Sequence, residues 1–199
     1  MKQSELFLKT SKERPKEADN ISTELLIRAG YIDKLSAGVY TFLPLGLRVL
    51  RKIENIIRQE MNKINGEEIL MPVLHPKFLW EETGRWDKID PPLFRLKDRH
   101  NREYGLGSTH EEVISDLVRK RVDSYKDLPF VLYQIQDKFR NEMRSTGGLL
   151  RTREFLMKDA YSFHTNKKDL QSYYEVMTKV YHQIFKRLGL NVIQVEASS

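Results

Sequence analysis

Two neighbouring segments of the chain carry the side chains best suited to chemistry. One ends at residues 139–142, which read Phe-Arg-Asn-Glu, and the other begins at residues 151–155, which read Arg-Thr-Arg-Glu-Phe. Arginine can bind phosphate oxygens through parallel N–H donors, and a flat aromatic ring can stack on a base. Together these residue types favour a site for a nucleotide.

Both segments belong to extended runs whose side chains alternate with a period of two. In the first run Val131, Tyr133, Ile135 and Phe139 face one way, and Gln134, Gln136, Lys138, Arg140 and Glu142 face the other. In the second run one face holds Arg151, Arg153, Phe155, Met157, Asp159 and Tyr161. Gly147 and Gly148 mark the turn between them. The pattern predicts two neighbouring strands, the first with a half-solvated polar face.

The order of residues in these strands resembles a known family. Phe-Arg-x-Glu, a loop and then Arg-x-x-x-Phe resembles motif 2 of the class II aminoacyl-tRNA synthetases, here at about residues 130–163. Residues 133–136 and 153–164 are similar to the bacterial type of prolyl-tRNA synthetase. A lone Arg-x-Glu would more simply be a solvated charge pair, so the resemblance depends on the whole run.

The resemblance implies an α+β fold in which helices flank an antiparallel β-sheet, incomplete in this chain, and an ATP-dependent ligase activity. Arg140 would hold the proline carboxylate and the α-phosphate of ATP in line and neutralise the developing charge, with Mg²⁺ assisting. Glu142 would read the adenine amino group, and Phe155 would stack on the adenine ring. Arg151 would reach the distal phosphates.

The resemblance also implies that activated proline is transferred to the 3′ end of tRNA(Pro). Arg144, in the loop between the two strands, is a candidate contact for the tRNA acceptor stem. Glu196 is a weaker candidate for a metal ligand.

The segment 105–112 has a structural and a functional interpretation. Ser108 with Glu111, and Thr109 with Glu112, both fit the capping box at the start of an amphipathic helix. In the family that this chain resembles, Thr-x-Glu holds the amino group of proline, which implies that role for Thr109 and Glu111. Both interpretations hold together if Glu112 caps the helix while Glu111 faces the substrate.

A long amphipathic helix precedes this segment. Its apolar residues recur at intervals of three or four positions and form one stripe, which comprises Leu47, Leu50, Ile53, Ile57, Met61 and Ile64. Gly66 would end the helix, and residues 67–74 read as a strand that holds Pro72, which favours an edge position. Alone, this is an ordinary helix packed on a sheet. Placed before motif 2, residues 38–76 resemble motif 1, which implies a homodimer interface.

The remaining elements are predicted from local pattern. Asn20 or Asp19 would cap a helix whose core face is Ile21, Leu25 and Leu26 and which ends at Gly30. Residues 36–43 read as a strand, 44–46 as a turn, 93–97 and 103–106 as a hairpin, 168–188 as a helix and 191–196 as a strand. Trp80 and Trp86 would be core anchors or a surface for RNA stacking, and the core is favoured.

Composition bounds these interpretations. A chain of 199 residues with 40% hydrophobic residues can form one large domain, or part of one. The net charge of +6 and a pI near 9.4 favour polyanion partners such as ATP and RNA. The chain has no cysteine, which excludes disulfides and thiolate metal sites. No apolar run approaches the length of a membrane span, so we expect a soluble, cytoplasmic protein.

The chain also departs from the family that it resembles. Family members continue with a Gly-rich strand, an editing insertion, motif 3 and an anticodon-binding domain, so we expect a fragment or truncated product that is inactive alone. One alternative is a non-catalytic synthetase-like module that binds a nucleotide, tRNA or a partner subunit. Another is a class II synthetase for threonine or serine, which the residues of the motifs disfavour.

Overall fold

A pair of ten-residue antiparallel strands forms the centre of the computed structural model, which describes residues 2, 5–7, 9–16 and 18–196. The elements in chain order are α1 Ile21–Arg28, β1 Ile32–Ser36, β2 Val39–Phe42, α2 Pro44–Lys63, β3 Glu67–Glu68, β4 Leu74–Pro76, α3 Lys77–Glu82, β5 Arg95–Lys97, β6 Glu103–Leu106, α4 Glu111–Arg119, β7 Phe130–Phe139, β8 Glu154–Phe163 and α5 Lys167–Arg187. Short 3₁₀ turns at Tyr125–Asp127 and Gly148–Leu150 complete the list.

These strands form three small sheets. The central sheet has the order β3-β7-β8, with β7 and β8 paired from Phe130–Phe163 to Phe139–Glu154. A second sheet has the order β4-β6-β5, and β1 with β2 forms a hairpin. All pairings are antiparallel except β3 with β7, which is parallel. The predicted α+β class with antiparallel sheets and flanking helices is confirmed.

Helices α2 and α5 cover one face of the central sheet. Met61 of α2, Tyr133 of β7, and Val180 and Ile184 of α5 form a buried core cluster. Arg187, at the end of α5, also binds the buried Glu60 of α2 at 2.5 Å. The apolar face predicted for the first strand is therefore the face against the helices, which leaves the polar face for the site.

Both tryptophans lie in a second core. Trp80 and Trp86 are buried with Leu79 and Leu93, between α3 and the β5–β6 hairpin. The predicted hairpin is confirmed, and its register places Leu96 opposite Tyr104. The core interpretation of the tryptophans is confirmed, because buried rings offer no surface for stacking RNA.

Helix α1 begins and ends as predicted but buries a different face. The Asn20 side chain accepts a hydrogen bond from the Thr23 amide at 2.9 Å, and Gly30 has the left-handed φ of +68°. Ile21, however, is 66% exposed and Leu25 is 54% exposed. Thr23 is buried instead, because it packs against the 3₁₀ turn at Gly148. The predicted core face of this helix is wrong at Ile21 and Leu25.

The region before α2 also differs from its prediction. The single strand predicted at 36–43 is instead the second half of a hairpin, in which Gly38 makes the turn with a φ of +76°. Residues 44–46 are not a turn but the start of α2, with Pro44 at a first-turn position where no N–H donor is needed. At the other end, Asn65 rather than Gly66 adopts the left-handed conformation, with a φ of +58°.

The strand predicted across Pro72 is interrupted. Residues 67–68 pair with β7 and residues 74–76 pair with β6, so Pro72 lies between two sheets rather than inside a strand. Here side-chain amides of β7 make hydrogen bonds to the backbone that a neighbouring strand would otherwise make. Gln134 Oε1 accepts from the Met71 amide at 3.0 Å, and Gln136 Nε2 donates to the Met71 carbonyl at 2.8 Å. The break follows from proline's lack of an N–H donor.

The C-terminal part confirms one prediction and overturns another. Helix α5 matches the predicted range, and Gly189 follows it with a φ of +73°. Residues 191–196 pair with no described strand, so the strand predicted there is wrong. A strand requires a ladder partner, and apolar alternation alone does not supply one. None of the described helices has the length and apolar character to cross a membrane.

Candidate nucleotide and amino-acid site

The polar face of β7 and β8 forms the floor of the candidate site. Cross-strand register places Lys138 opposite Phe155, Gln136 opposite Met157, Gln134 opposite Asp159 and Leu132 opposite Tyr161. The predicted grouping of Phe155, Met157, Asp159 and Tyr161 on one face is therefore confirmed. Arg151 and Arg153, which the alternation assigned to the same strand, precede its first residue, Glu154.

The floor is not half-solvated as predicted. Gln134 and Lys138 are both 0% exposed. The chain at Met71 binds Gln134, and the loop at Gly107 binds the end of β7 through the Phe139 amide, which donates to the Gly107 carbonyl at 2.9 Å. Two segments that are distant in sequence thus cover the polar face of the strand. The alternation of side chains along the strand could not predict this coverage.

Arg140 follows the last residue of β7 and lies over the floor. Its backbone amide donates to the Arg153 carbonyl at 2.9 Å, which fixes the start of its side chain. Its guanidinium carbon lies 5.4 Å from the centroid of the Phe155 ring. Among the described residues, the guanidinium makes no side-chain hydrogen bond or ion pair. A guanidinium held by an aromatic face retains its N–H donors for an anion.

Glu142 and Arg151 bind each other. Arg151 donates to Oε2 of the buried Glu142 from Nε at 2.9 Å and from Nη2 at 2.6 Å. Arg153 also donates from Nε to the Glu142 carbonyl at 3.0 Å. The family resemblance implies separate roles for these two side chains, whereas the structure pairs them through two N–H groups of Arg151 on one oxygen of Glu142. Arg151 keeps three further N–H donors, and most of its side chain is exposed.

The two outlying candidates lie at the surface. Arg144 is exposed in the loop between β7 and β8, and Glu196 is exposed beyond α5, outside any helix or strand. Within the described ranges, no three His, Asp or Glu side chains form a cluster that could hold a metal ion. The metal role of Glu196 and the tRNA role of Arg144 stay predictions.

Thr109 and Glu111 lie together at the start of α4. The Thr109 hydroxyl donates to the Glu111 carboxylate, and Glu111 is exposed. The loop that carries them is anchored on both sides, because the Gly107 amide donates to the Val73 carbonyl at 2.8 Å and the Gly107 carbonyl accepts from β7. The hydroxyl and the carboxylate are therefore neighbours on a supported loop, as an ammonium ligand requires.

The capping box predicted at this helix start is wrong. His110 is the N-cap residue of α4, and its side chain makes no capping hydrogen bond. Glu112 is buried instead, where it accepts from Arg85 at 2.7 Å and from the Thr83 hydroxyl at 3.2 Å. A nearby arginine thus binds the carboxylate that local pattern assigned to the cap. Arg85 also lies 3.8 Å from the Glu111 carboxylate.

Two buried histidines lie behind this loop, and the sequence patterns did not predict them. His75 and His110 both hydrogen-bond through Nε2 to the carbonyl of Pro72, at 3.0 Å and 3.1 Å. A carbonyl only accepts, so both rings carry their proton on Nε2. Burial lowers the pKa of each ring to about 4. A Cβ on Gly107 would lie 2.7 Å from the His75 ring, which explains the glycine there.

A buried ion pair within the floor also escaped the sequence reasoning. Lys138 Nζ lies 2.8 Å from Asp159 Oδ1, while Gln134 and Tyr161 both donate to Oδ2, at 2.9 Å and 2.8 Å. Burial lowers the pKa of Lys138, and the Asp159 carboxylate opposes that shift. Alternation already assigned Lys138 and Asp159 to the site-facing sides of the two strands, so it could have predicted that they lie close together. It could not have predicted that they are buried.

Comparison with known proteins assigns this arrangement to a family. The sequence model of the tRNA synthetase class II core domain (G, H, P, S and T) matches residues 94–199. The chain belongs to this family. The match covers the Thr109–Glu111 loop and both strands of the floor, so the candidate site of this class II core domain lies within the matched region.

Curated relatives of this class II core domain match it along its whole length. Proteins named proline–tRNA ligase from Acidithiobacillus ferrooxidans (strain ATCC 53993 / BNL-5-31), Thermotoga maritima and Vesicomyosocius okutanii are 52%, 51% and 56% identical over 199 residues. Those residues are 100% of this chain but 35%, 34% and 36% of the relatives. The chain therefore spans about a third of the length of these relatives.

Solved structures share the fold. A Giardia lamblia prolyl-tRNA synthetase in complex with prolyl-adenylate has a TM-score of 0.75 and 26% identity, covering 81% of this chain and 34% of that one. A Cryptosporidium parvum prolyl-tRNA synthetase, complexed with halofuginone and AMPPNP, has a TM-score of 0.74 at 18% identity, covering 83% and 34%. The second likeness supports the class II fold alone.

Proposed function

We propose that this chain carries the amino-acid-activating site of a proline–tRNA ligase. The observation that carries the proposal is the position of Arg140, held over Phe155 at the end of β7, one residue beyond the amide that anchors the Thr109–Glu111 loop. An anion-binding group thus lies beside an ammonium-binding group, as a free amino acid requires. The names of the curated relatives supply the identity of the amino acid.

The proposed reaction needs no covalent enzyme intermediate. A proline carboxylate oxygen attacks the α-phosphorus of ATP, a new P–O bond forms, and the bond from that phosphorus to the bridging oxygen breaks to release pyrophosphate. Both reactants are anionic, and negative charge grows on the α-phosphoryl oxygens in the transition state. Arg140 would hold the two reactants in line and neutralise that charge. In the second step a hydroxyl at the 3′ end of tRNA(Pro) attacks the prolyl carbonyl carbon and loses its proton. An ester bond forms, the bond from that carbon to the phosphate oxygen breaks, and AMP leaves.

The nucleotide would lie on Phe155, between Arg140 and the Glu142–Arg151 pair. Glu142 would accept a hydrogen bond from the adenine amino group through the carboxylate lone pairs that Arg151 does not occupy. Arg151 would use its remaining donors on the distal phosphates. The contacts of Arg151 Nε and Nη2 with one oxygen of Glu142 hold both groups in place before ATP binds, which reduces the cost of ordering them on binding.

The amino acid would bind through Thr109 and Glu111. Proline has a secondary ammonium with only two N–H donors, and a neighbouring hydroxyl and carboxylate provide two acceptors for them. Threonine and serine have primary ammonium groups with three donors. This difference in donor number favours proline at a site with two acceptors.

The remaining assignments of the proposal concern partners. Mg²⁺ would be held mainly by the phosphates of ATP, with Glu196 as the candidate carboxylate, and it would neutralise phosphate charge. Arg144 would contact the acceptor stem of tRNA(Pro). The α2 helix and the segment at Pro72 would form a two-fold dimer interface in a cytoplasmic enzyme.

Titration of the isotope-labelled chain with non-hydrolysable aminoacyl-adenylate analogues tests the proposal by NMR. The prolyl analogue should shift the amide signals of residues 107–111 together with those of residues 139–142 and 151–155. The threonyl and seryl analogues should shift the second set but leave the loop largely unchanged. Equal loop shifts with all three analogues would contradict proline as the substrate. Shifts at neither set with any analogue would contradict an adenylate site here.

A further inference from the structure

The carboxylate of Asp159 is the centre of a hydrogen-bond network below the candidate site. Its Oδ1 forms an ion pair with Lys138 at 2.8 Å, and its Oδ2 accepts hydrogen bonds from Gln134 at 2.9 Å and from Tyr161 at 2.8 Å. Lys138 is wholly buried, so its charge is compensated inside the protein rather than by solvent. Each of these side chains comes from the paired strands β7 and β8, which are the most extensively paired strands of the described chain.

A chain of hydrogen bonds leads from this centre to the Thr109–Glu111 loop through the segment at Pro72. Gln134, which donates to Asp159, also accepts from the Met71 amide at 3.0 Å. The carbonyl of the next residue, Pro72, accepts from His110 at 3.1 Å. His110 lies between Thr109 and Glu111 in sequence, so its buried ring directs both neighbours away from the core.

Tyr161 joins the same network from β8. Its hydroxyl donates at 2.8 Å to the Asp159 oxygen that also accepts from Gln134. Burial and the Asp159 carboxylate raise the pKa of this phenol. The phenol therefore stays protonated and helps to hold the Asp159 oxygen that binds Gln134.

Charge gives Asp159 a second effect on the loop. Burial lowers the pKa of Lys138, and the charges of Asp159 and Glu111 both oppose that shift. The Lys138 charge in turn adds to the effect of burial in lowering the pKa of both buried histidines. The Asp159 carboxylate, 2.8 Å from Lys138 Nζ, balances this positive charge locally. Without it, Lys138 would attract the Glu111 carboxylate and compete with the ammonium of a bound amino acid.

We infer that the network centred on Asp159 positions the Thr109–Glu111 loop, so that Lys138, Asp159 and Tyr161 are positioning residues for amino-acid binding. None of them needs to contact the substrate. The inference rests on the proposed function, because it assigns the network to the binding of proline rather than ATP.

The mildest test removes one hydroxyl from the network. The full-length form needed for kinetics is a chimera in which this chain replaces the aligned third of the Thermotoga maritima relative, hereafter the full-length chimera. In it, Tyr161→Phe should raise the KM for proline about five- to tenfold, as expected for a lost hydrogen bond, and leave the KM for ATP within about twofold.

The matched control is Tyr133→Phe. Tyr133 is a buried tyrosine on the opposite face of β7, and its hydroxyl contacts Asn62 and Glu68 rather than the site. It should leave both KM values unchanged, whatever it does to stability. Equal rises in the KM for proline and for ATP in Tyr161→Phe, or no change in either, would overturn the inference.

The charge effect is tested by a double variant. Asp159→Asn alone leaves Lys138 uncompensated and should raise the KM for proline more than Tyr161→Phe does. Adding Lys138→Met removes the competing charge and should lower the KM for proline again, without changing that for ATP. A double variant that is no better than Asp159→Asn would contradict the charge argument.

Hydrogen exchange in the 199-residue chain tests the network independently of activity. In the absence of ligands, Tyr161→Phe should speed amide exchange at residues 107–111 at least about tenfold relative to Tyr133→Phe. If the full-length chimera fails to activate proline while the loop amides respond as expected, the proposed function fails and the positioning of the loop stands. Unchanged exchange at these amides would overturn the positioning itself.

Discussion

The guanidinium of Arg140 lies over the ring of Phe155, with 5.4 Å between the guanidinium carbon and the ring centroid. Arg140 follows the last residue of β7, Phe155 lies in the adjacent strand β8, and Lys138 is opposite Phe155 in the register. Strand pairing therefore fixes where an anion and a flat base could lie relative to each other. The ring supports the cation without using its hydrogen-bond donors.

We predict that Arg140→Gln lowers the rate of proline-dependent ATP–pyrophosphate exchange in the full-length chimera about 10²–10³-fold, because one preorganised charge is lost from the transition state. Lys158→Met is the matched control. Lys158 also lies over an aromatic ring, that of Tyr181 at 4.5 Å, but on the opposite face of β8. A similar loss of rate in both variants would indicate damage to the sheet and contradict a role for Arg140 in the chemistry.

We predict that Glu111→Gln weakens proline binding about 10- to 100-fold and leaves ATP binding nearly unchanged. A charge-assisted hydrogen bond to the ammonium contributes about 1.5–3 kcal/mol, and the amide keeps only its neutral part. Calorimetric titration of the full-length chimera with each ligand measures both affinities. Equal weakening of the two ligands would show that Glu111 only supports the helix start.

The neighbouring Glu112 serves as the control for that prediction. It is buried and paired with Arg85 at 2.7 Å, so Glu112→Gln should lower the melting temperature while leaving the ratio of the two affinities unchanged. A selective loss of proline affinity in Glu112→Gln would contradict the placement of these two carboxylates.

Much of this architecture could be predicted from local pattern. The stripe of α2 and the alternation of β7 and β8 repeat over many residues, and long periodic signals define an element well. The grouping of Phe155 with Asp159 and Tyr161 followed from alternation alone, and the structure confirms it.

The errors lie where distant segments meet. The burial of Gln134 and Lys138 depends on contacts with Met71 and Gly107, more than thirty residues away in the sequence. Glu112 does not cap α4, because it is paired with Arg85. Thr23 rather than Ile21 is buried, because Thr23 packs against the turn at Gly148. Local sequence rules indicate which interactions a side chain can make. They do not determine which residue of a distant segment becomes its partner.

We predict that the proposed dimer interface includes exposed leucines around Pro72. Leu70 is 75% exposed and Leu74 is 43% exposed, and Leu47 and Val49 of α2 are exposed as well. The double substitution Leu70→Glu and Leu74→Glu should convert the full-length chimera from dimer to monomer in light scattering at micromolar concentration. Leu96→Glu, on the β5–β6 hairpin, is the control. An unsubstituted chimera that is already monomeric would contradict the interface.

We predict that the two buried histidines make the chain less stable in acid. Burial lowers the pKa of His75 and of His110 to about 4, whereas an unfolded histidine titrates near 6.5. Unfolding below pH 6.5 therefore takes up protons. The free energy of unfolding should fall between pH 6.5 and pH 4, by up to about 3 kcal/mol for each ring.

Urea unfolding of the 199-residue chain at pH 7, 6 and 5 measures this effect. His75→Gln should flatten the pH dependence, while the control His100→Gln, at an exposed position, should keep it. The same pH dependence in all three proteins would show that other groups cause the acid instability.

Residues of this chain should activate proline, and ATP–pyrophosphate exchange measures that activation. The full-length chimera should exchange labelled pyrophosphate into ATP when proline is present and not when threonine or serine replaces it. The 199-residue chain alone should give no measurable exchange, because it spans about a third of the relatives' length. Exchange by the chimera with threonine or serine, or none with proline, would contradict this prediction.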